Sequence, residues 1–188
     1  MSVYFSSLNS GSNGDCYYVG NDAAAILVDV GLSCRETEKR MTRLDLDMGK
    51  VKAIFISHEH GDHIKGLCVI AKKYGLPIYS TQKTLAGCKD LPEQQLRFIK
   101  AFEPITIGEL EITAFPKLHD AADPISFVVS YVGLHVGVFT DIGAPCKNLL
   151  HYFKQCQAIF LEANFDEAML ENGRYPYHLK NRIRGGFG

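Results

Sequence analysis

The chain has 188 residues, with 20 basic and 21 acidic side chains and a formal net charge of −1. This length allows one domain with a substantial core, and we expect a single domain over residues 1–188. A charge so close to zero gives no global field that attracts nucleic acid, although a cleft can still be locally basic. Composition therefore neither supports nor excludes a nucleic acid partner.

Disulfide-rich secreted proteins and membrane proteins are disfavoured. The six cysteines are scattered without close pairs, which argues against a disulfide framework and against a zinc ribbon. The amino terminus lacks a basic region followed by an apolar stretch, and no apolar run reaches transmembrane length. We therefore expect a cytoplasmic protein with no membrane partner.

The spacing of apolar residues predicts strands in both halves of the chain, with helices between them. Alternation is clearest at 109–115 and 134–139, and Gly133 predicts a tight hairpin before the second of these runs. Strands are predicted at 2–7, 15–20, 24–30, 51–57, 77–80, 99–107, 109–115, 125–132, 134–140 and 157–162. Helices are predicted at 33–44, 64–74, 81–88, 146–155 and 166–184. This order favours an α/β (α+β) fold with two packed sheets and outer helices.

The most informative segment is Ser-His-Glu-His-Gly-Asp-His at 57–63. It follows the apolar, β-branched run 51–56, which is typical of a buried strand. Its three histidines and one carboxylate cannot share one helical face, so we expect them on the loop after the strand. Imidazole and carboxylate groups are preferred ligands of zinc and similar ions. The segment therefore predicts a metal site built on His58, His60, Asp62 and His63.

The pattern His-x-His-x-Asp-His resembles the second motif of the metallo-β-lactamase superfamily. Three other segments are similar to further motifs of that family, in the same order: 27–31 with Asp29, 114–119 with His119, and 139–143 with Asp141. The resemblance implies an αββα sandwich, with two mixed β-sheets flanked by helices. It also implies a hydrolase with two divalent metal ions, for which zinc is the default and manganese or iron fits the same ligands.

The resemblance also assigns roles to single residues. The ligand sets are His58, His60 and His119 for one ion, Asp62 and His63 for the other, and Asp141 for both. In this scheme a hydroxide held between the ions attacks the substrate, and Asp62 and Asp141 are the candidate catalytic residues. Asp29 is expected to support the ligands from behind, and Asp120 to orient a neighbouring group.

The late part of the chain resembles one branch of the superfamily, the YycJ/WalJ-like proteins. Leu-Glu-Ala-Asn at 161–164, Gly-Arg-Tyr-Pro at 173–176 and Leu-Lys-Asn-Arg-Ile at 179–183 carry the likeness, together with the Ser-Gly-Ser-rich loop at 9–15. In this branch a further metal-binding histidine would follow Gly188 directly. We therefore expect that the chain lacks its C-terminal portion and that its second metal site is impaired in this form.

The same branch is associated with 5′-to-3′ exonuclease activity on DNA, which implies phosphodiester hydrolysis and a nucleic acid substrate. Candidate substrate contacts are Ser12, Asn13, Asn164 and Arg182, and Lys117 adds a basic group beside His119. The basic C-terminal segment fits a solvated helix end equally well. Relatives often have histidine in place of Phe165, so we expect a different or weaker handling of the phosphate.

Two alternatives remain open from the sequence. A glyoxalase-II-like thioesterase uses almost the same second motif, although no downstream glutathione site is evident. A non-catalytic, metal-binding regulatory protein is the alternative if the polypeptide truly ends at Gly188. A β-lactamase is disfavoured, because those enzymes typically lack a histidine at the position of His63.

Overall fold

The computed structural model describes residues 2–162 and 166–185, apart from the side chain of Arg182. Two of the candidate substrate contacts, Asn164 and the side chain of Arg182, therefore lie outside the described residues, and so does Phe165. The strands of the described part form two mixed sheets that pack face to face.

The first sheet has six strands in the order of the chain: β1 (Tyr4–Asn9), β2 (Cys16–Gly20), β3 (Ala25–Val28), β4 (Val51–Phe55), β5 (Ile78–Ser80) and β6 (Leu96–Phe98). Strands β1 to β3 pair antiparallel, whereas β3 to β6 are parallel. Every residue of β3 is buried, and so are four of the five in β4. Such continuous apolar runs are expected for parallel strands that are covered on both faces.

The second sheet has five strands in the spatial order β11-β10-β9-β8-β7: β7 (Ile105–Ile107), β8 (Leu110–Pro116), β9 (Ile125–Tyr131), β10 (Leu134–Phe139) and β11 (Ala158–Leu161). All neighbours are antiparallel except β10 and β11, which are parallel. The turn between β9 and β10 has positive φ at Val132 (48°) and Gly133 (78°). Two such residues suit the twist of a tight hairpin, which confirms the prediction at Gly133.

Seven α-helices complete the described part of the chain: α1 (Cys34–Arg43), α2 (Gly61–Ile64), α3 (Leu67–Tyr74), α4 (Gln82–Gly87), α5 (Lys147–Phe153), α6 (Glu167–Asn172) and α7 (Tyr177–Arg184). Side-chain oxygens cap the first turns of α1 and α4: Ser33 accepts from the N–H of Glu36, and Thr81 from that of Thr84. Within 2–162 and 166–185, no helix has the length and apolar character needed to span a bilayer.

Three hydrophobic clusters define the layers of the fold. Between the sheets, the Phe55 and Phe127 rings meet edge to face with centroids 5.6 Å apart. On the outer face of the first sheet, Met41 of α1 and Ile70 of α3 are buried in the second cluster. Leu149 of α5 packs in the third, on the outer face of the second sheet. The result is an αββα sandwich, which confirms the predicted fold class.

Two predicted elements are wrong in part. The strand predicted at 99–107 exists only at 105–107, because the chain turns at Phe102, where φ is 67°. The helix predicted at 166–184 is divided into α6 and α7. Pro176 disfavours a helical backbone at the preceding residue, so the first helix ends before it and the next starts after it.

Strands β3, β4, β8 and β10 all end at the same edge of the sandwich. There the two sheets are also joined, since the N–H of Ile125 donates to the carbonyl oxygen of Ser57 over 3.1 Å. The segments that follow β4, β8 and β10 carry every predicted metal ligand, and Asp29 follows β3. The fold therefore concentrates the candidate chemistry at one edge.

Candidate metal centre

The histidine-rich motif lies directly after β4, as the sequence predicted, but it is not entirely a loop. His58 lies in the connection that leaves β4, and His60 is the residue before the first turn of α2. Asp62 and His63 lie within α2. The short helix turns these two side chains towards a different part of the site from the two earlier histidines.

His58, His60 and His119 form the first ligand group. The Nε2 atoms of His58 and His119 lie 3.1 and 3.2 Å from Nδ1 of His60. Oδ2 of Asp141 lies 3.1 Å from Nε2 of His58 and 3.9 Å from Nε2 of His119. Neighbouring ligand atoms around a tetrahedral zinc ion with bonds of about 2.0–2.1 Å are roughly 3.3 Å apart. These separations therefore fit one ion.

Ser57 fixes the ring of His58 in a metal-binding form. The Ser57 hydroxyl donates to Oδ2 of Asp29 over 2.8 Å, so its oxygen is left to accept from Nδ1–H of His58, also over 2.8 Å. The lone pair of His58 then lies on Nε2, the atom that faces the cluster. Burial lowers the pKa of His58 to about 3, so the ring stays neutral.

A second ligand group adjoins the first around His63, whose side chain is fully buried. Its Nδ1–H donates to Oδ2 of Asp29 over 2.9 Å, and its Nε2 lies 2.6 Å from Oδ2 of Asp141. Among the described residues this Nε2 atom makes no hydrogen bond of acceptable geometry. One carboxylate oxygen of Asp62, one of Asp15 and one ring nitrogen of His63 lie within 4.8 Å of one another. A buried nitrogen without a hydrogen bond, facing several carboxylates, fits a second metal ion.

The electrostatics of the cluster follow from burial and from close opposite charges. Burial acts to lower the pKa of His63, but the carboxylates of Asp29 and Asp141 raise it to about 10. Burial acts to raise the pKa of Asp141, but the imidazoles of His58 and His63 hold it far below its usual value. Burial raises the pKa of Asp15 to about 6. A metal ion that binds His63 must therefore displace a proton.

Two of the site aspartates have an uncommon backbone conformation. Asp29 follows β3 with a φ of 57°, and Asp141 follows β10 with a φ of 46°. This left-handed region is rare for residues other than glycine, although aspartate tolerates it better than most. Such strain is commonly found at functional sites, where the surrounding structure holds it in place.

The loop that carries His119 is held to the first sheet by polar contacts. Oε1 of Glu59 accepts from the N–H of Ala122 over 2.8 Å, and the Thr81 hydroxyl donates to the carbonyl oxygen of Asp123 over 3.4 Å. Asp120, predicted to orient a neighbour, has Oδ1 3.5 Å from Nε2 of His119.

Lys117 does not have the position expected of a phosphate contact. Its side chain is buried, and its ammonium group donates to the carbonyl oxygen of Thr140 over 2.6 Å. The sequence suggested this role only because Lys117 is a basic residue close to His119 in the chain. In the structure, this hydrogen bond instead connects the loop that carries His119 to the loop that begins at Thr140.

The ligands face a cavity of about 680 Å³. Its floor includes His60, Asp62, His119 and Asp141, and its walls come from Ser10–Ser12 and from Tyr175, Leu179 and Ile183. Ser12 is thus placed in the wall, whereas Asn13 is exposed and is not among the described residues that line the cavity.

The Ser-Gly-Ser-rich loop uses much of its own backbone for internal contacts. The N–H of Gly11 donates to Oδ1 of Asp15 over 3.0 Å, that of Gly14 to the carbonyl of Gly11 over 2.9 Å, and that of Asp15 to the carbonyl of Asp62 over 2.7 Å. These three amides are therefore not available to an anionic ligand. The exposed hydroxyl of Ser12 is the better candidate.

Several residues of the site were not singled out from the sequence: Asp15, Tyr17, Ser57, Glu59 and Glu162. Glu162 has a recognisable signal, because it is the last residue of a predicted strand that ends at the same edge as the ligand loops. Oε2 of Glu162 accepts from the N–H of Ile142 over 2.6 Å, and burial raises the pKa of its carboxyl. The other four act through contacts that their spacing does not reveal.

Residues 24–182 match the profile of a β-lactamase superfamily domain. The chain is also 37% identical over 192 residues to Exodeoxyribonuclease YycJ of Bacillus anthracis, an alignment that covers 100% of this chain and 73% of that protein. The chain belongs to the metallo-β-lactamase superfamily. Exodeoxyribonuclease WalJ of Streptococcus pneumoniae is 29% identical, over 98% of this chain and 71% of its own length. Within the superfamily, these similarities confirm the predicted YycJ/WalJ-like branch.

A solved structure supports the same assignment at the level of the fold. The metallo-β-lactamase fold protein YhfI from Bacillus subtilis has a TM-score of 0.72 with this chain. The match covers 86% of this chain and 70% of YhfI, at 19% sequence identity. At that identity the likeness concerns the arrangement of sheets and helices.

Proposed function

We propose that this metallo-β-lactamase superfamily member is a metal-dependent phosphodiesterase that degrades DNA from a 5′ end. The observation that carries the proposal is that two ligand groups meet at Asp141 on the floor of one open cavity. The choice of DNA as substrate is supported by the names of the relatives YycJ and WalJ, both exodeoxyribonucleases that align with almost the whole chain.

In this proposal one divalent ion would be held by His58, His60 and His119 and the other by Asp62 and His63, with Asp141 available to both. Zinc suits the imidazole-rich first group, and manganese or iron fits the same ligands. Such a pair of ions, when bound, polarises a phosphodiester and lowers the pKa of a water molecule, which supplies a nucleophile at neutral pH.

The protein's own groups orient the ligands and handle protons. Asp29 fixes both His63, through Nδ1, and Ser57, which in turn fixes His58. Glu162 lines the cavity, and its raised pKa suits a group that holds a proton for the departing oxygen of a phosphodiester. We assign it that role.

The cavity walls suit a nucleic acid end. The Tyr175 ring is 55% exposed at the cavity and can stack on a base, and the Ser12 hydroxyl can donate to a phosphate oxygen. Asn13, Asn164 and Arg182 remain proposed contacts from the sequence. A cytoplasmic location fits the six cysteines, all of which are free thiols.

The test is hydrolysis of a 5′-labelled DNA duplex and of a small chromogenic phosphodiester by the full chain. We expect both activities to disappear after treatment with a chelator and to return with zinc or manganese. His58→Ala should abolish them. His151→Ala is the matched control, because His151 is exposed on α5 and is not a predicted ligand, and it should leave both rates unchanged.

Two other outcomes would replace the proposal. Cleavage of a glutathione thioester without diester hydrolysis would identify a glyoxalase-II-like thioesterase. Tight metal binding without turnover of either substrate class would identify a non-catalytic metal-binding protein.

A further inference from the structure

Asp15 presents one carboxylate oxygen to the second ligand group. Its side chain is only 6% exposed, and Oδ1 already accepts from the N–H of Gly11 over 3.0 Å and from the hydroxyl of Tyr17 over 2.9 Å. These two bonds fix the plane of the carboxylate. The other oxygen, Oδ2, lies 3.3 Å from Nε2 of His63.

The atom that Oδ2 faces is itself without a hydrogen bond. Nε2 of His63 is buried and makes no hydrogen bond of acceptable geometry within the described residues. It lies between Asp15 Oδ2, at 3.3 Å, and Asp141 Oδ2, at 2.6 Å. Ligand atoms that share one metal ion are separated by about this distance, since each bond is about 2.0–2.2 Å long.

The backbone holds Asp15 in this position. Its N–H donates to the carbonyl oxygen of Asp62 over 2.7 Å, and its own carbonyl accepts from the N–H of Gly31 over 2.8 Å. A side chain at Gly31 would collide with the Asp62 carbonyl, so only glycine allows this close approach. The start of β2 is thus fixed directly against the helix that carries Asp62 and His63.

The surplus of carboxylates in the group favours a bound cation. The carboxylates of Asp15, Asp62 and Asp141 surround a single imidazole, and the nearby ammonium group of Lys117 is committed to the Thr140 carbonyl. Like charges gathered in a poorly solvated site are unfavourable unless they are paired or coordinate a metal. Carboxylate oxygens are also common ligands of divalent cations.

We propose that Asp15 is a direct ligand of the second metal ion, which gives that ion the ligands Asp15, Asp62, His63 and Asp141. This inference rests on the proposed metal centre, but not on the choice of substrate. It extends the ligand set beyond the residues of the histidine motif to the loop between β1 and β2. It also makes the second site richer in oxygen than the first.

The decisive measurement is a titration of the metal-depleted full chain with Co²⁺ and with Mn²⁺, followed by calorimetry and, for Co²⁺, by visible absorption. Asp15→Asn keeps the size of the side chain and an oxygen that can accept from Gly11 and Tyr17. We expect it to weaken the binding of the second ion by at least about 100-fold and to leave that of the first unchanged, because loss of a direct ligand should exceed the 10–100-fold effect of supporting residues. The Co²⁺ spectrum of the second site should also change, which a loss of distant charge alone would not produce.

Two further variants make the result specific. Tyr17→Phe keeps the carboxylate of Asp15 but removes one of the two hydrogen bonds that orient it. It should weaken the binding of the second ion by about tenfold. Asp22→Asn makes the same chemical change on an exposed turn, where Asp22 accepts from the hydroxyl of Tyr4, and should change neither affinity.

The outcomes separate this inference from the proposed function. Asp15 is not a ligand if the affinity of Asp15→Asn for the second ion is within about threefold of the wild-type affinity. The same conclusion holds if the wild-type protein binds only one ion. If Asp15→Asn does not fold, an unchanged second-ion affinity in Tyr17→Phe overturns the inference. A protein that binds two ions in the expected manner but hydrolyses no phosphodiester would retain the Asp15 site and lose the nuclease assignment.

Discussion

The ammonium group of Lys117 donates a hydrogen bond of 2.6 Å to the carbonyl oxygen of Thr140, the residue before Asp141. Lys117 also stands two positions before His119. This one bond therefore connects the two loops of the second sheet that carry candidate metal ligands. Because Lys117 is only 6% exposed, water competes little for the contact.

Replacement of Lys117 by methionine should destabilise the metal-free protein. The change leaves the Thr140 carbonyl without its donor, and it removes a positive charge near Asp141, so the free energy of unfolding should fall by about 1–3 kcal/mol. Urea denaturation followed by circular dichroism measures this. In Lys52→Met the lost bond, to the Gly49 carbonyl, has the same length but is exposed, and the change should stay within about 0.5 kcal/mol. Equal stabilities of the two variants would contradict the structural role of Lys117.

Asp62→Asn should impair the second metal site without affecting metal binding at the first. Asp62 belongs to the second ligand group, so turnover of the small phosphodiester should fall by at least about 100-fold, while the first ion keeps its three histidines. Steady-state kinetics and zinc titration test the two halves of this statement. If the Asp62→Asn protein loses both ions, the two ligand groups do not bind their metal ions independently.

Asp141→Asn should weaken the binding of both metal ions. Oδ2 of Asp141 lies 3.1 Å from Nε2 of His58 and 2.6 Å from Nε2 of His63, so it faces both groups. We expect each metal affinity to fall by at least about tenfold, as measured by calorimetry. A loss confined to one ion would assign Asp141 to that ion alone.

The two ions should respond differently to pH. The pKa of His63 is raised to about 10 by Asp29 and Asp141 against the effect of burial, so the second ion must displace a proton throughout the neutral range. Its apparent affinity should therefore rise about tenfold per pH unit between about pH 6.5 and about pH 8.5.

The first ion provides the internal comparison. Burial lowers the pKa of His58 to about 3 and that of His119 to about 4, so neither holds a proton that the ion must displace. Calorimetry in buffers of different ionisation enthalpy counts the protons released by each ion. Equal proton release at both sites would contradict the raised pKa of His63.

Arg182→Ala should affect DNA more than a small substrate. Arg182 belongs to α7, and Leu179 and Ile183 of the same helix line the cavity. A residue that positions a remote phosphate acts through binding, so KM for DNA should rise about tenfold while hydrolysis of the small diester stays unchanged. Arg43→Ala, at the exposed end of α1, is the matched control. Equal losses on both substrates would return Arg182 to a structural role.

The elements of this fold that carry strong local patterns could be predicted from the sequence. Alternation located β8 and β10, and the spacing of His58, His60 and His63 indicated a metal before any contact was known. The turn at 100–104 was missed because Ile99, Phe102 and Ile105 continue an apolar pattern through it. Pro104 was a local signal against one continuous strand, since proline cannot donate to the hydrogen-bond ladder of a sheet. The spacing of apolar residues indicates which residues are buried, and burial alone does not identify a strand.

Asp15 illustrates the other limit. Its importance comes from contacts with Gly31, Asp62 and His63, which are distant in sequence and meet only when three loops close on one another. Nothing near residue 15 distinguishes this aspartate from one in an ordinary glycine-serine turn. The histidine motif could therefore be predicted from the sequence, but the complete proposed ligand set could not.

The predicted ligands are divided between the two sheets. His58, His60, Asp62 and His63 follow β4 of the first sheet, whereas His119 and Asp141 follow β8 and β10 of the second. An ion bound by both sets would act as a cross-link between the two sheets, and it would stabilise the folded state by an amount that grows with the logarithm of its free concentration relative to its dissociation constant. The lifetime of the folded protein would then depend on the same metal pool as its catalysis.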